Sequence, residues 1–167
     1  MKIGLISDTH GYLDPGVFTA FSQCDQIWHA GDIGTLPLLD ELASFKTMRA
    51  VYGNIDGHEI RTVTSEIQLF TESGVKVLMI HIAGKCPIYN PQVRRILQTE
   101  KPKILICGHS HILQVLPDKK NNLLFLNPGA AGKHGFHKMK TLLRFELKEG
   151  KILGMEAIEL GPRARIT

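Results

Sequence analysis

The stretch Lys2-Ile3-Gly4-Leu5-Ile6-Ser7-Asp8-Thr9-His10-Gly11 decides how the rest of the chain is read. An apolar run ends near Ser7 and hands directly to a loop bearing a carboxylate and an imidazole, Asp8 and His10. The loop leads to a helix expected around Val17 to Ser22 and then a strand at Gln26 to Ala30. That order is a parallel-type α/β unit, with a strand whose end carries chemistry onto a turn.

The same order then recurs. After Gly31-Asp32-Ile33-Gly34 the pattern predicts a helix from about Leu36 to Phe45, a strand at Met48 to Tyr52 and a polar turn at Gly53-Asn54-Ile55-Asp56-Gly57. Strands are expected near Glu66 to Phe70, Val75 to Ile80 and Ile104 to Cys107, with a helix opened by Asn90 and Pro91. From Gln114 onward the chain reads as strand. The runs Leu123 to Leu126, Thr141 to Leu147 and Ile152 to Ile158, separated by Lys120-Asn121-Asn122 and Lys148-Glu149-Gly150-Lys151, suggest an antiparallel meander. The expected fold is α/β: two mixed β-sheets packed as a sandwich and flanked by helices, a four-layer arrangement in a single domain over residues 1–167.

Composition sets the outer bounds. A chain of 167 residues with 43% hydrophobic and 22% charged residues builds one sizeable core. A formal charge of +4 favours anionic ligands mildly without demanding nucleic acid. Cys24, Cys86 and Cys107 form no CxxC pattern, so neither a disulfide framework nor a thiolate zinc site is suggested, and a reducing cytosol fits best. Asp8 interrupts the first apolar run before a signal-peptide core can form, and no run approaches the roughly 18 apolar residues of a membrane span. A soluble, cytoplasmic protein is expected, with no membrane partner.

The polar residues that follow apolar runs are Asp8, His10, Asp32, Asn54, His81, His109 and His111. Carboxylate, amide and neutral imidazole without thiolate suit manganese, iron, zinc, nickel or cobalt, and suit a structural zinc site poorly. Seven such residues exceed what one ion takes from protein. A pair of ions about 3.5–4 Å apart, bridged by one carboxylate and one hydroxide, would use them all. In an extended turn, Asp8 and His10 can point the same way, as can His109 and His111. Gly11, Gly31, Gly53 and Gly108 allow the sharp reversals that aim these side chains. Any one of these residues alone has an ordinary reading as a turn former or a hydrogen-bonded histidine; the ordered set is what carries the metal reading.

Asp8-Thr9-His10, Gly31-Asp32, Gly53-Asn54-Ile55-Asp56, His81 and Gly108-His109-Ser110-His111 resemble, in order and over most of the chain, the motifs of the calcineurin-like metallophosphoesterase superfamily. The small size, the GNxD turn and Asn127-Pro128-Gly129 resemble its compact YfcE-type phosphodiesterases, an outline that Vps29 shares. The resemblance implies that Asp8, His10 and His111 hold one metal, that Asn54, His81 and His109 hold the other, and that Asp32 bridges both. It implies two divalent ions, with manganese as the default and nickel, zinc, iron, cobalt or magnesium as alternatives. A hydroxide between them would attack phosphorus in line, giving a phosphoesterase, with a small phosphodiester or nucleotide-like substrate expected before a monoester.

Two positions depart from that pattern. Many members place a histidine directly after the turn asparagine to protonate the leaving group; here Ile55 stands there, and His58 is the nearest candidate for that catalytic role beside Asp32 and Asn54. His81 precedes Ile82 where relatives often have glycine. The alternative reading is a Vps29-like scaffold that binds proteins and keeps a vestigial metal site. Nucleic acid is not expected as a partner, for want of a Lys/Arg block or an aromatic series, and a homo-oligomer is compatible with the size. His29 reads as a satisfied neighbour of the site, and Cys107 as a small buried hydrophobe. Asp56 reads as either an orienting partner or a turn former, and Lys133-His134-Gly135-Phe136-His137-Lys138 as either a substrate-contacting loop or a solvated turn.

Overall fold

The computed structural model describes residues 1–164. In chain order, β1 (Lys2–Ile6), α1 (Gly16–Ala20), β2 (Gln26–His29), α2 (Leu36–Phe45), β3 (Thr47–Ala50) and α3 (His58–Val63) come first. They are followed by β4 (Ile67–Glu72), β5 (Val75–Ile80), β6 (Gly84–Lys85), β7 (Ile88–Tyr89), α4 (Pro91–Glu100) and β8 (Ile104–Ile106). The last strands are β9 (Leu113–Asp118), β10 (Leu123–Pro128), β11 (Met139–Lys148) and β12 (Lys151–Pro162). Two five-stranded mixed sheets result, ordered β12-β11-β1-β2-β3 and β4-β5-β8-β10-β9. Each sheet has three adjacent parallel strands, β1-β2-β3 at one edge of the first and β5-β8-β10 at the centre of the second, and the remaining pairings are antiparallel.

The apolar runs are continuous because these strands are covered on both faces. Ile3, Leu5, Trp28, Val77, Met79, Ile104, Ile106 and Phe145 fill the space between the sheets. Ile6, Ile27 and Leu142 face outward onto Val17, Phe21, Leu38 and Leu42 of the α1–α2 layer, while Leu78, Ile80, Leu105 and Phe125 meet Val93 and Leu97 of α4. The two inner faces and two helical covers make the four layers expected from the sequence. Gly4 is required on β1 because a Cβ there would lie 2.6 Å from the Phe21 ring. Asn90 caps α4 by accepting from the Val93 N–H at 2.9 Å, with Pro91 in the first turn.

Four local expectations change. The meander is instead two hairpins in different sheets: β9 pairs with β10 in one, whereas β11 pairs with β1 and β12 in the other. Alternation reports which faces are buried but not which sheet a strand joins. Helix α1 ends at Ala20, short of Ser22. The short helix α3 and the β6-β7 ribbon lie where the sequence suggested only a polar turn and loop. No helix among the described residues is long and apolar enough to cross a membrane.

The sheets place the C-terminal ends of β1, β2, β3, β5 and β8 together, the edge at which parallel sheets carry their sites. The loops there are laced by backbone bonds: Asp8 N–H to Gly31 O at 3.0 Å, His10 N–H to Asp32 O at 3.0 Å and Gly11 N–H to Ile33 O at 2.8 Å. His29, wholly buried at the end of β2, joins the same lacing. Its Nδ1 accepts the Gly31 N–H at 3.1 Å, so Nε2–H donates to Thr9 Oγ1 at 2.9 Å and the Thr9 hydroxyl donates to Ile33 O at 2.9 Å. A neutral ring is required for that chain of bonds, and burial pushes the His29 pKa down to about 4.

The folded pKa of His29 lies below the ordinary value of 6.5, so the unfolded chain takes up its proton first as pH falls. The associated stability is present above about pH 6.5 and is lost between there and about pH 4, on the order of 3 kcal/mol. Urea midpoints of the metal-free protein should therefore fall across that window, and His29→Gln should be less stable at pH 8 yet show a flatter fall. An unchanged slope in the variant would remove His29 as its source.

Candidate metal centre

Loops from five strands bring all seven sequence-predicted ligand residues to one place. Asp8, His10 and His111 offer ligand atoms that all lie within 4.8 Å of one another, and Asp32, His81 and His109 do the same. Asp32 stands between the groups, its Oδ2 at 3.3 Å from His81 Nε2 and 3.7 Å from His10 Nε2. Asp8 Oδ1 lies 3.1 Å from His111 Nε2 and 3.9 Å from both His10 Nε2 and His81 Nε2. Asn54 joins the second group through its Oδ1, 3.0 Å from His109 Nδ1.

The backbone beneath these side chains is strained. Asp8, His10, Asp32, His109 and His111 all have left-handed φ, between 47° and 68°. That conformation costs an ordinary residue about 1–2 kcal/mol, and it persists only where surrounding contacts over-determine it. Asp8 Oδ2 accepts from Ser7 Oγ at 2.6 Å and from the His109 N–H at 3.1 Å, which joins the β1 and β8 loops. Asp56, buried, accepts from the N–H groups of Gly53 at 2.8 Å, Gly34 at 2.8 Å and Ile33 at 3.1 Å, which joins the β2 and β3 loops. Asn127 donates to Gly108 O at 2.9 Å and Ser110 Oγ at 3.0 Å, shaping the turn that carries His109 and His111. A Cβ on Gly53 would overlap the Asp32 carboxylate and one on Gly108 would overlap Ser7 and Asp8, so glycine is needed at both for space.

The donor set fits a cation. His81 Nδ1–H donates to Ala30 O at 2.7 Å, which turns the Nε2 lone pair toward the carboxylates when the ring is neutral. Among the described residues, Asp8 Oδ1 and His81 Nε2 are buried without a well-aligned hydrogen-bond partner, and His10 Nε2 faces His111 Nε2 at 3.4 Å. Acceptors converging on acceptors are costly unless a positive charge lies among them. Burial lowers the pKa of His10 against the pull of Asp32 and Asp8, keeping it neutral as a ligand must be. Burial raises that of Asp32, but His81, the Ile55 N–H and His10 outweigh it and hold the carboxyl below its ordinary range. For His81, burial is outweighed by Asp32, Asp8 and Ala30 O, so its pKa is raised: without a metal, a proton is drawn to the place a cation would take. Cys107, pushed up to about 12 by burial, stays a thiol.

These residues open onto a cavity of about 580 Å³ whose walls include His10, Asp32, Asn54, His109 and His111. His58 does not line it: it is exposed at the start of α3. The structure does not bring His58 together with the other sequence-predicted site residues. The segment from His134 to His137 does line the cavity, with the His134 ring 4.9 Å from that of His10 and the His137 ring 5.3 Å from that of His111. Of its two sequence readings, the structure places it over the site. Ser7 went unnoticed in the sequence, although its position directly before Asp8 was a usable signal.

The three N–H bonds to Asp56 decide its reading as an orienting partner. Asp56→Ala should lower the stability of the metal-free protein by about 2–4 kcal/mol in urea unfolding. It should also weaken manganese binding about 10–100-fold in a titration of folded protein. Wild-type metal affinity in that variant would contradict the assignment.

The family model that describes a calcineurin-like phosphoesterase superfamily domain matches residues 1–150. A probable metallophosphoesterase of Methanothermobacter thermautotrophicus is 34% identical over 136 residues, covering 78% of this chain and 77% of that protein. Among solved structures, an archaeal phosphodiesterase superposes with a TM-score of 0.75 at 19% identity, covering 95% of this chain and 99% of that one. Zinc-complexed Vps29 from Entamoeba histolytica superposes with a TM-score of 0.72 at 18% identity, covering 96% of this chain and 100% of that one. The fold is theirs, and this chain belongs to the calcineurin-like phosphoesterase superfamily.

Proposed function

We propose that the protein is a phosphodiesterase working with two divalent ions, manganese first among them, on a small diester or nucleotide-like substrate. The observation that carries this reading is the pair of adjoining ligand groups, each with a buried acceptor left without a well-aligned partner among the described residues, Asp8 Oδ1 and His81 Nε2. Asp8, His10 and His111 would hold one ion, and Asn54, His81 and His109 the other, with Asp32 between them. Bound ions supply Lewis acidity, polarising the phosphoryl oxygens and making a water nucleophilic at neutral pH.

The chain's own residues orient and limit the reaction. The Ile55 N–H donates to Asp32 Oδ1 at 3.1 Å, so the β3 loop fixes that carboxylate while the Ile55 side chain offers no proton. With His58 outside the cavity, His134 and His137 are the lining imidazoles outside the two ligand groups, and a stable leaving anion needs least help from them. Among the described residues the lining contains neither lysine nor arginine, the groups that pair with the second charge of a monoester dianion. That supports a diester.

Metal-stripped protein should be inactive toward bis-(p-nitrophenyl) phosphate and should regain turnover with manganese, nickel, zinc or magnesium. p-Nitrophenyl phosphate should be turned over more slowly. Asp32→Ala and His109→Ala should each lose at least about a hundredfold. Full turnover in both variants would remove the site. Stoichiometric metal binding without turnover of either ester would leave the Vps29-like scaffold as the reading.

A further inference from the structure

The metal-facing cavity is larger than a phosphoryl group requires, and its outer wall is apolar. At about 580 Å³ it falls within the range of pockets that take whole small molecules. Three of its lining residues are hydrophobic and exposed: Ile55 at 47%, Ile112 at 59% and Phe136 at 103%. They come from three separate loops, after β3, after β8 and before β11.

Phe136 is the most informative of the three. Its loop is not loosely held, for Arg163 donates from Nε to His137 O at 2.9 Å and from Nη1 to Lys133 O at 3.3 Å, fastening both ends. Its backbone presses on the ligands as well: a Cβ on Gly132 would overlap the Asp8 and Thr9 carbonyls, and one on Gly135 would overlap the His111 ring. A phenyl ring fully exposed among the described residues, carried on a fastened loop beside His10 and His111, presents apolar surface to the cavity mouth. Ile112 is likewise fixed, its N–H donating to Ser110 Oγ at 3.3 Å.

Resting on the phosphoesterase reading, we infer that Ile55, Ile112 and Phe136 form a collar that receives a planar aromatic group of the substrate while its phosphoryl group lies at Asp32, His109 and His111. The substrate class is then a phosphoester bearing an aromatic ring, either an aryl ester or a nucleobase. For an aryl ester the collar also suits a site with weak proton donation, because a phenolate leaves as a stabilised anion, whereas a nucleotide leaves through a ribose hydroxyl. The His137 Nε2–H is engaged, donating to Gly132 O at 2.9 Å, and its Nδ1 is buried without a partner among the described residues.

Binding of phosphonates, which carry no hydrolysable ester, tests the collar apart from catalysis. Manganese-loaded protein is titrated calorimetrically with methylphosphonate, phenylphosphonate and a nucleoside phosphonate. Phenylphosphonate should bind about tenfold more tightly than methylphosphonate. Phe136→Ala should bring that ratio to within about twofold and Phe136→Trp should keep it. Since the Phe136 side chain is fully exposed among the described residues, neither variant threatens folding. A nucleoside phosphonate binding more tightly than phenylphosphonate identifies a nucleobase, and the reverse an aryl ester. A ratio near one in the wild type, a ratio that survives Phe136→Ala, or no phosphonate binding overturns the collar. If Phe136→Ala instead dissociates an oligomer, the surface is an interface between copies. A preserved ratio without hydrolysis of any diester defeats the enzyme reading and leaves the collar standing; hydrolysis without the ratio does the opposite.

Discussion

Everything at the functional edge depends on holding five ligand residues in left-handed backbone conformation. Asp8, His10, Asp32, His109 and His111 each sit where an L-residue is disfavoured, and each does so at the point where a buried strand ends. A strand ending in a relaxed turn would send these side chains to opposite sides, so the strain is what turns them onto a common centre. The restraint comes from neighbouring loops. Asp8 ties β1 to β8 through the His109 N–H, and Asp56 ties β2 to β3 through three N–H groups. These carboxylates set the backbone that carries the others.

That dependence explains the packing nearby. The loops approach so closely that side chains cannot be accommodated at Gly53 or Gly108, and His29 must remain neutral to accept from Gly31. Packed sheets on either side give the loops rigid bases: Ile3 and Leu5 beneath Asp8, and Ile104 and Ile106 beneath His109, are all fully buried. A site built on strand ends of a close-packed sandwich is held more tightly than one carried on mobile segments. The apolar collar is the complement: Ile55 and Ile112 stand on the ligand-bearing loops after β3 and β8, Phe136 on the loop before β11, and all three are exposed.

Much of this was legible in the sequence, for physical reasons that apply residue by residue. The runs Lys2 to Ile6 and Val75 to Ile80 showed buried strands because burial on both faces leaves little polar alternation. The ligand residues stood out because each follows such a run, and their order along the chain is the order of the loops. Sheet membership was not legible: β10 and β11 look like neighbours in a meander, yet β11 pairs with β1 from the other end of the chain. His58 stands apart because the chain turns into α3 directly after Gly57, which spacing from Asn54 does not show. The place of Phe136 depends on Arg163, 27 residues later, reaching back to the His137 and Lys133 carbonyls, a contact no local pattern encodes.

The central claim is that the two ligand groups are two adjoining metal positions that share Asp32. Anomalous diffraction from manganese-soaked crystals, recorded on both sides of the manganese absorption edge, tests it most directly. The account predicts two peaks per chain, one among Asp8, His10 and His111 and one among Asn54, His81 and His109, with the Asp32 carboxylate contacting both. A single peak, or two peaks of which neither touches Asp32, would contradict it.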